Sequence, residues 1–174
     1  MLSLKQALEN KYQKIRNFSY LQAQANVIPF DIMLKPIDTY ALESYQKWER
    51  RIVDWDWIGI VRKYRKNTKR FEVAIWYQNE LMGLALGKPS RAKTLVRINF
   101  IEGRTDRPTI LRKRIVPITI KVGMNYSVLL QAKKLFIMEP FPELINYYKG
   151  QDGFIYVKGT DGKDHPSYLY RTLD

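Results

Sequence analysis

The strongest constraint in this sequence lies mid-chain. Phe71 to Tyr77 and Leu81 to Leu86 are two strand-like runs separated only by Gln78-Asn79-Glu80. So short a connection forces an antiparallel hairpin. After a turn region from Gly87 to Lys93, Leu95 to Ile101 alternates as a third strand, and Gly103 to Pro108 reads as loop. The rest of the chain has to be read as what packs on or extends that sheet.

Helical signals stand on both sides of it. Ser3 and Gln6 fit a capping box, and Leu4, Leu8, Tyr12 and Ile15 share one helical face. Asn17 to Asn26 is weakly patterned and reads as a connection. Val27 to Leu34 predicts a first strand ending at Lys35-Pro36. Asp38-Thr39 supplies N-cap chemistry, and the spacing of Leu42, Tyr45, Trp48 and Ile52 predicts a helix to about Asp54. The longest helix is predicted over Pro117 to Lys134, with Pro117 in its first turn and Lys133-Lys134 at the negative end of its dipole. Phe136-Ile137-Met138 reads as a short buried strand. Pro142 opens a helix through Tyr148, and Phe154 to Val157 and Tyr168 to Tyr170 are strands across the turn Gly159-Thr160-Asp161-Gly162. The fold class is α+β: one domain over residues 1–174, with a helical extension at 1–26 and a core at 27–174.

Composition removes several chemistries. The chain has no Cys, which excludes disulfides, thiolate zinc sites and Cys nucleophiles. Its single His, His165, sits in a polar turn and cannot build a two-histidine metal site, so no metal is expected. No apolar run approaches the ~20 residues of a membrane span. The N-terminus lacks the continuous apolar stretch of a secretory leader, so the cytoplasm is the expected compartment. Against these exclusions stands one positive signal: 30 Lys+Arg against 17 Asp+Glu, a net charge of +13, which asks for an anionic partner.

Two blocks carry a family resemblance. The first is Phe71-Glu72-Val73-Ala74-Ile75-Trp76 followed by Leu81-Met82-Gly83-Leu84-Ala85-Leu86-Gly87. The second is Pro142-Glu143-Leu144-Ile145-Asn146-Tyr147-Tyr148 followed by Gly153-Phe154. With the element order, they resemble the GNAT-type N-acetyltransferase superfamily over about Val27 to Leu173. The resemblance implies a mixed, mostly antiparallel sheet with helices on both faces and a split between the fourth and fifth strands. It further implies acetyl-CoA, or another acyl-CoA, in that split and acyl transfer to a primary amine of unread identity. Where the family carries a glycine-rich pyrophosphate loop, this chain has Leu111-Arg112-Lys113-Arg114-Ile115-Val116-Pro117, with no glycine.

Within that frame each candidate has two readings. Arg112, Lys113 and Arg114, with the backbone at Ile115, stand where CoA phosphates would dock, or they are a solvated charge run. Tyr148 resembles the family's acid for the leaving thiolate, or it packs with Tyr147 and Phe154. Glu102 is the choice for general base over Glu72, Asp54 and Asp56; strand-end carboxylates also pair with nearby cations. A backbone N–H between Ile101 and Gly103 is expected to polarise the acyl carbonyl. Asp54-Trp55-Asp56-Trp57 could line an acceptor pocket with Trp55, Asp56 and Trp57, or its Trp residues could be core. The run from Arg62 to Arg70, together with Arg91, Lys93, Arg97, Arg104 and Arg107, is explained by no cofactor. It keeps a second function open: a catalytically silent protein of this shape binding nucleic acid or an acidic protein through a basic face. A homodimer is also allowed.

Overall fold

The structure, a computed structural model, describes residues 1–26, 31–160 and 164–174. Among these the order is α1 (Leu4–Asn26), β1 (Ile32–Lys35), α2 (Thr39–Gln46), α3 (Trp57–Tyr64), β2 (Phe71–Tyr77), β3 (Glu80–Pro89), β4 (Leu95–Gly103), α4 (Ile115–Leu129), β5 (Lys134–Met138), α5 (Pro142–Tyr148), β6 (Phe154–Val157) and β7 (Tyr168–Thr172). The strands form one seven-stranded sheet in the order β1-β2-β3-β4-β5-β7-β6. Every pairing is antiparallel except that of β4 with β5. The α+β architecture is therefore as expected, with helices on both faces. Residues 27–30 of the first predicted strand, and part of the turn at 159–162, lie outside the described residues.

The mid-chain hairpin turns tightly. Tyr77 pairs with Glu80, and Gln78 and Asn79 between them both take positive φ (49° and 65°). That two-residue left-handed turn matches the twist of the strands it joins.

One face, here the front, carries α1, α4 and α5. Tyr12, Tyr20 and Ala23 of α1 share a core with Phe71, Val73, Ile98, Val122, Tyr126 and Leu135. The back carries α2 and α3, where Ile37, Ala41, Tyr45, Trp48, Trp57 and Val61 close over Ala74, Trp76, Leu84 and Leu86.

Three helix boundaries differ from the sequence-based expectation, each for a tertiary reason. The capping box forms as read, Ser3 N–H donating to Gln6 Oε1 at 3.0 Å and Gln6 N–H to Ser3 Oγ at 3.2 Å. However, α1 continues through the supposed connection to Asn26, because Ser19, Tyr20 and Ala23 are buried and Tyr20 donates its hydroxyl to the Glu72 carbonyl. Packing supplies here what local patterning lacks. Next, α2 stops at Gln46 rather than near Asp54, and Asp56 caps a separate α3 by accepting from Gly59 N–H at 3.1 Å. Finally, α4 spans 115–129. Gln131 (φ 62°) ends it in a left-handed turn, with Ala132 N–H donating to Ser127 O and Gln131 N–H to Val128 O, both at 2.9 Å. Lys134 consequently lies in β5, not in the last turn of the helix.

Candidate active site

The site begins with one extra residue in β4. On its β3 side Leu86 pairs with Phe100 while Gly87 pairs with Ile98, so Asn99 is bulged. Gly87 makes this approach feasible: a Cβ there would stand 2.0 Å from the Arg97 carbonyl oxygen. Asn99 Nδ2 is held by the Tyr64 hydroxyl of α3 at 2.7 Å. On its other side β4 pairs with β5 only from Leu95 to Ile98. There the ladder between the two parallel strands ends: β5 stops one residue later, at Met138, while β4 runs on to Gly103 with no strand paired on that side among the described residues, and this is the split.

Ladder alternation tells which backbone groups line it. Arg104 N–H donates to Met82 O at 2.8 Å, just beyond the Gly103–Gly83 pair. Antiparallel pairs alternate between bonded and non-bonded. Glu102 and Phe100 therefore turn their amides toward β3, and Ile101 and Gly103 turn theirs toward the split.

At the end of β4 the chain folds back through residues 104–114 into α4. Arg104 holds Asp106 through two bonds (Nε–Oδ1 2.6 Å, Nη2–Oδ2 3.1 Å), and Asp106 also accepts from Glu49 N–H at 2.8 Å. Arg107 pairs with Glu80. Lys113 adopts φ 67°, so the backbone makes a left-handed turn without glycine directly before α4. Arg112, Lys113 and Arg114 are exposed. The first residue of α4, Ile115, is buried against two glycines: a Cβ would come within 2.7 Å of it at Gly83 and 3.2 Å at Gly103. This contact places the helix N-terminus and its basic loop beside the open end of β4.

Glu102 points to the back face and is 4% exposed. Trp57 Nε1–H donates to its Oε1 at 2.8 Å, and the Tyr45 hydroxyl lies 3.0 Å and 3.2 Å from its two oxygens. Burial pushes the Glu102 carboxyl above the usual range; the bonds from Trp57 and Tyr45 and the nearby Arg51 charge only partly offset this. The Arg51 guanidinium lies 4.5 Å from the Tyr45 ring centroid, and Arg51 also pairs with Asp54 at 3.6 Å. The Tyr45 hydroxyl is itself pushed well up by burial and by the adjacent Glu102.

The four residues 54–57 do not line one pocket together. Trp57 is fully buried beneath Glu102, and Asp56 is spent as the cap of α3. Trp55 is half-buried, its ring 5.1 Å edge-on from Phe100 and 6.0 Å from Trp57.

Tyr148, at the end of α5, is 5% exposed and packs edge-on against Tyr147 (4.8 Å) and Phe154 (5.4 Å) in the front core. Burial, with the neighbouring Tyr147 and Asp152, pushes its hydroxyl up to about 12. Glu102 and Tyr148 thus belong to opposite faces of the sheet.

The basic run at 62–70 is divided. Arg62 and Lys63 close the last turn of α3, and Arg65 donates to the Ile37 carbonyl at 2.8 Å. Arg70 is buried, bonded to Glu72 and bidentate to Glu9 (2.7 and 2.9 Å), so it is part of the core. Sequence reasoning missed Tyr45, Arg51 and Asn99. Tyr45 read only as one apolar position of a helix, and a bulge is invisible without the partner strand.

No protein-family model matches the sequence, and no curated protein matches it. Solved structures do. Ard1 from Thermoplasma volcanium superposes with a TM-score of 0.60 at 13% identity, covering 83% of this chain and 99% of that one. The ribosomal-protein-S18-alanine N-acetyltransferase from Escherichia coli matches with a TM-score of 0.58 at 10% identity, covering 82% and 94%. PaiA N-acetyltransferase from Thermoplasma acidophilum, in complex with coenzyme A, matches with a TM-score of 0.53 at 11% identity, covering 83% and 100%. At these identities the likeness is one of fold. The fold of this chain is the GNAT-type fold of these N-acetyltransferases.

Proposed function

We propose that the chain is an N-acyltransferase that moves an acetyl group from acetyl-CoA, or an acyl group from a related thioester, to a primary amine. The observation that carries this reading is the split itself. An unpaired β4 edge at Ile101 and Gly103 runs between a buried carboxyl and a basic helix N-terminus.

The residues present fit such a ligand. The amides of Ile101 and Gly103 offer a strand edge to a linear chain containing amide groups. Arg112, Lys113 and Arg114, with the N–H of Ile115, suit its phosphates by side-chain charge where the family uses glycine backbone. Acetyl-CoA would supply the activated acyl group. Glu102 would accept the proton leaving the amine, and its raised pKa brings it closer to that task at neutral pH. An N–H of Ile101 or Gly103 is the donor available to the acyl oxygen. Tyr148, whose hydroxyl keeps its proton well above neutrality, would deliver a proton to the departing sulfur. On the back face, Trp55 is the part of the predicted acceptor pocket left to meet an amine.

One observation favours a second reading. The segment 111–117 lacks any glycine, and long side chains there could block phosphate approach, leaving a silent protein of the same shape. Isothermal titration with acetyl-CoA and with desulfo-CoA separates the two. Binding of both supports the transferase, and no binding at millimolar ligand overturns it.

A further inference from the structure

The C-terminal half of the sheet has a covered front and an uncovered back. The front-face residues Leu135, Ile137, Phe154 and Leu169 are at most 2% exposed. On the same strands the back-face residues Phe136, Met138, Val157, Tyr168 and Tyr170 are only half-buried, and Ile155 is 51% exposed. The back-face core under α2 and α3 is built on β2 and β3 and reaches no further than Phe100 of β4.

The pairing registers align Lys88, Arg97, Phe136, Tyr170 and Ile155 in one row across five adjacent strands. Four inter-strand steps make that row about 19 Å long. Phe136 and Tyr168 stack with centroids 4.9 Å apart and planes 18° apart, and Tyr170 lies 5.6 Å from Phe136. Cations sit beside the rings: the Arg97 guanidinium 5.9 Å from Phe136 and Lys134 Nζ 5.0 Å from Tyr170. Among the described residues, no ion pair engages Lys88, Arg97 or Lys134. The back-face positions of β5, β6 and β7 contain no Asp or Glu.

We propose that this face binds single-stranded nucleic acid, its bases against Phe136, Tyr168 and Tyr170 and its phosphates on Lys88, Arg97 and Lys134. Rings interleaved with unpaired cations are what such a strand needs, because each base has a π-face and each linkage a charge. A second copy is disfavoured by charge. A two-fold contact would bring these cations against themselves, in a chain already at +13. An acidic polypeptide would neutralise the cations but does not present a π-face at every unit as a nucleic acid strand does. The inference is independent of acyl transfer, since none of these residues lies in the split.

The test is fluorescence anisotropy of a labelled 12-nucleotide oligo(dT) with the full chain at several salt concentrations. Measurable binding at low salt is expected, with duplex of the same length binding more weakly. Replacing Phe136→Leu and Tyr170→Leu should weaken binding about tenfold or more. Arg97→Gln with Lys134→Gln should lower the salt dependence of log K by about 1.4. The matched pair Lys14→Gln with Lys121→Gln, which removes the same charge from front-side helices, should change neither greatly. A wild-type experiment covers the case of misfolded variants: photo-crosslinking with 5-iodouracil oligonucleotide should label peptides containing Phe136, Tyr168 or Tyr170. No binding at 50 mM salt, equal loss in the matched pair, or crosslinks only elsewhere would overturn the proposal. So would polyglutamate competing as well as the oligonucleotide, or a stable dimer that the oligonucleotide does not dissociate.

Discussion

Trp57, the first residue of α3, donates its indole N–H to Oε1 of Glu102 at 2.8 Å from beneath the β-sheet's back face. The bond explains why a carboxyl can be buried here at all, because two neutral donors, Trp57 and Tyr45, satisfy it without a bidentate cation. A carboxyl so placed keeps a raised pKa, which suits the base role proposed for Glu102, whereas a tight Arg pair would hold it permanently ionised and weakly basic.

The pH profile follows from that geometry. If Glu102 is the base of the proposed transfer, its raised pKa puts the acid limb of kcat/KM above the usual carboxylate range, with activity rising as Glu102 ionises. Tyr45→Phe removes a donor that favours the carboxylate, so the limb should move further up, by about one pH unit. Steady-state rates from pH 4 to 9 on both proteins check this. A limb that stays in place would remove Tyr45 from any role in holding the base.

Tyr148→Phe keeps the ring that packs on Phe154 and deletes only the hydroxyl. Turnover should fall about 100-fold while the acyl-CoA dissociation constant changes little. Single-turnover kinetics paired with calorimetry separate the two quantities; unchanged turnover would leave Tyr148 as packing alone.

Gly87→Ala tests whether the bulge makes the split. Its added methyl would meet the backbone oxygen of Arg97, which cannot rotate away. Unfolding in urea should show a loss of about 1–3 kcal/mol, and acyl-CoA binding should weaken with it. A variant of full stability and full affinity would show that β4 and β5 part for another reason.

Arg70→Met should unfold the protein more readily, by about 3–5 kcal/mol, because it strands the buried Glu72 and releases Glu9. Acid should act on the same network. Burial opposes ionisation of Glu9, but the bond to Arg70 and the charges of Arg70 and Arg16 prevail, so its folded pKa lies below the unfolded one. Its stabilisation is therefore complete above the ordinary carboxylate pKa and is lost as pH falls through the lowered value. Thermal melts from pH 2 to 7 should show Glu9→Gln flattening the acid side of the stability curve.

Local chemistry made some parts of this molecule legible and left others dark. The Ser3–Gln6 box, the Gln78-Asn79 turn and the Pro142 start of α5 are set by neighbours a few residues apart, and each is read from the chain directly. The tail of α1 and the whole of α3 form because they bury Tyr20 and Trp57 against distant strands, so no local period announces them. The site divides the same way. Glu102 and Tyr148 are candidates because their places along the chain match those of the resembled family. The donors that hold Glu102 come from positions 45 and 57, brought together only by the back-face core. Arg70 shows the reverse case, a charge that reads as surface until its two partners, Glu9 and Glu72, are seen beside it.

Glu102 and Tyr148 facing opposite sides of the sheet has a kinetic corollary. If acyl donor and amine approach from different sides, each has its own doorway, and neither must wait for the other's product to leave. Initial-rate lines in double-reciprocal plots would then intersect, and a dead-end amine analogue would be noncompetitive toward the acyl donor.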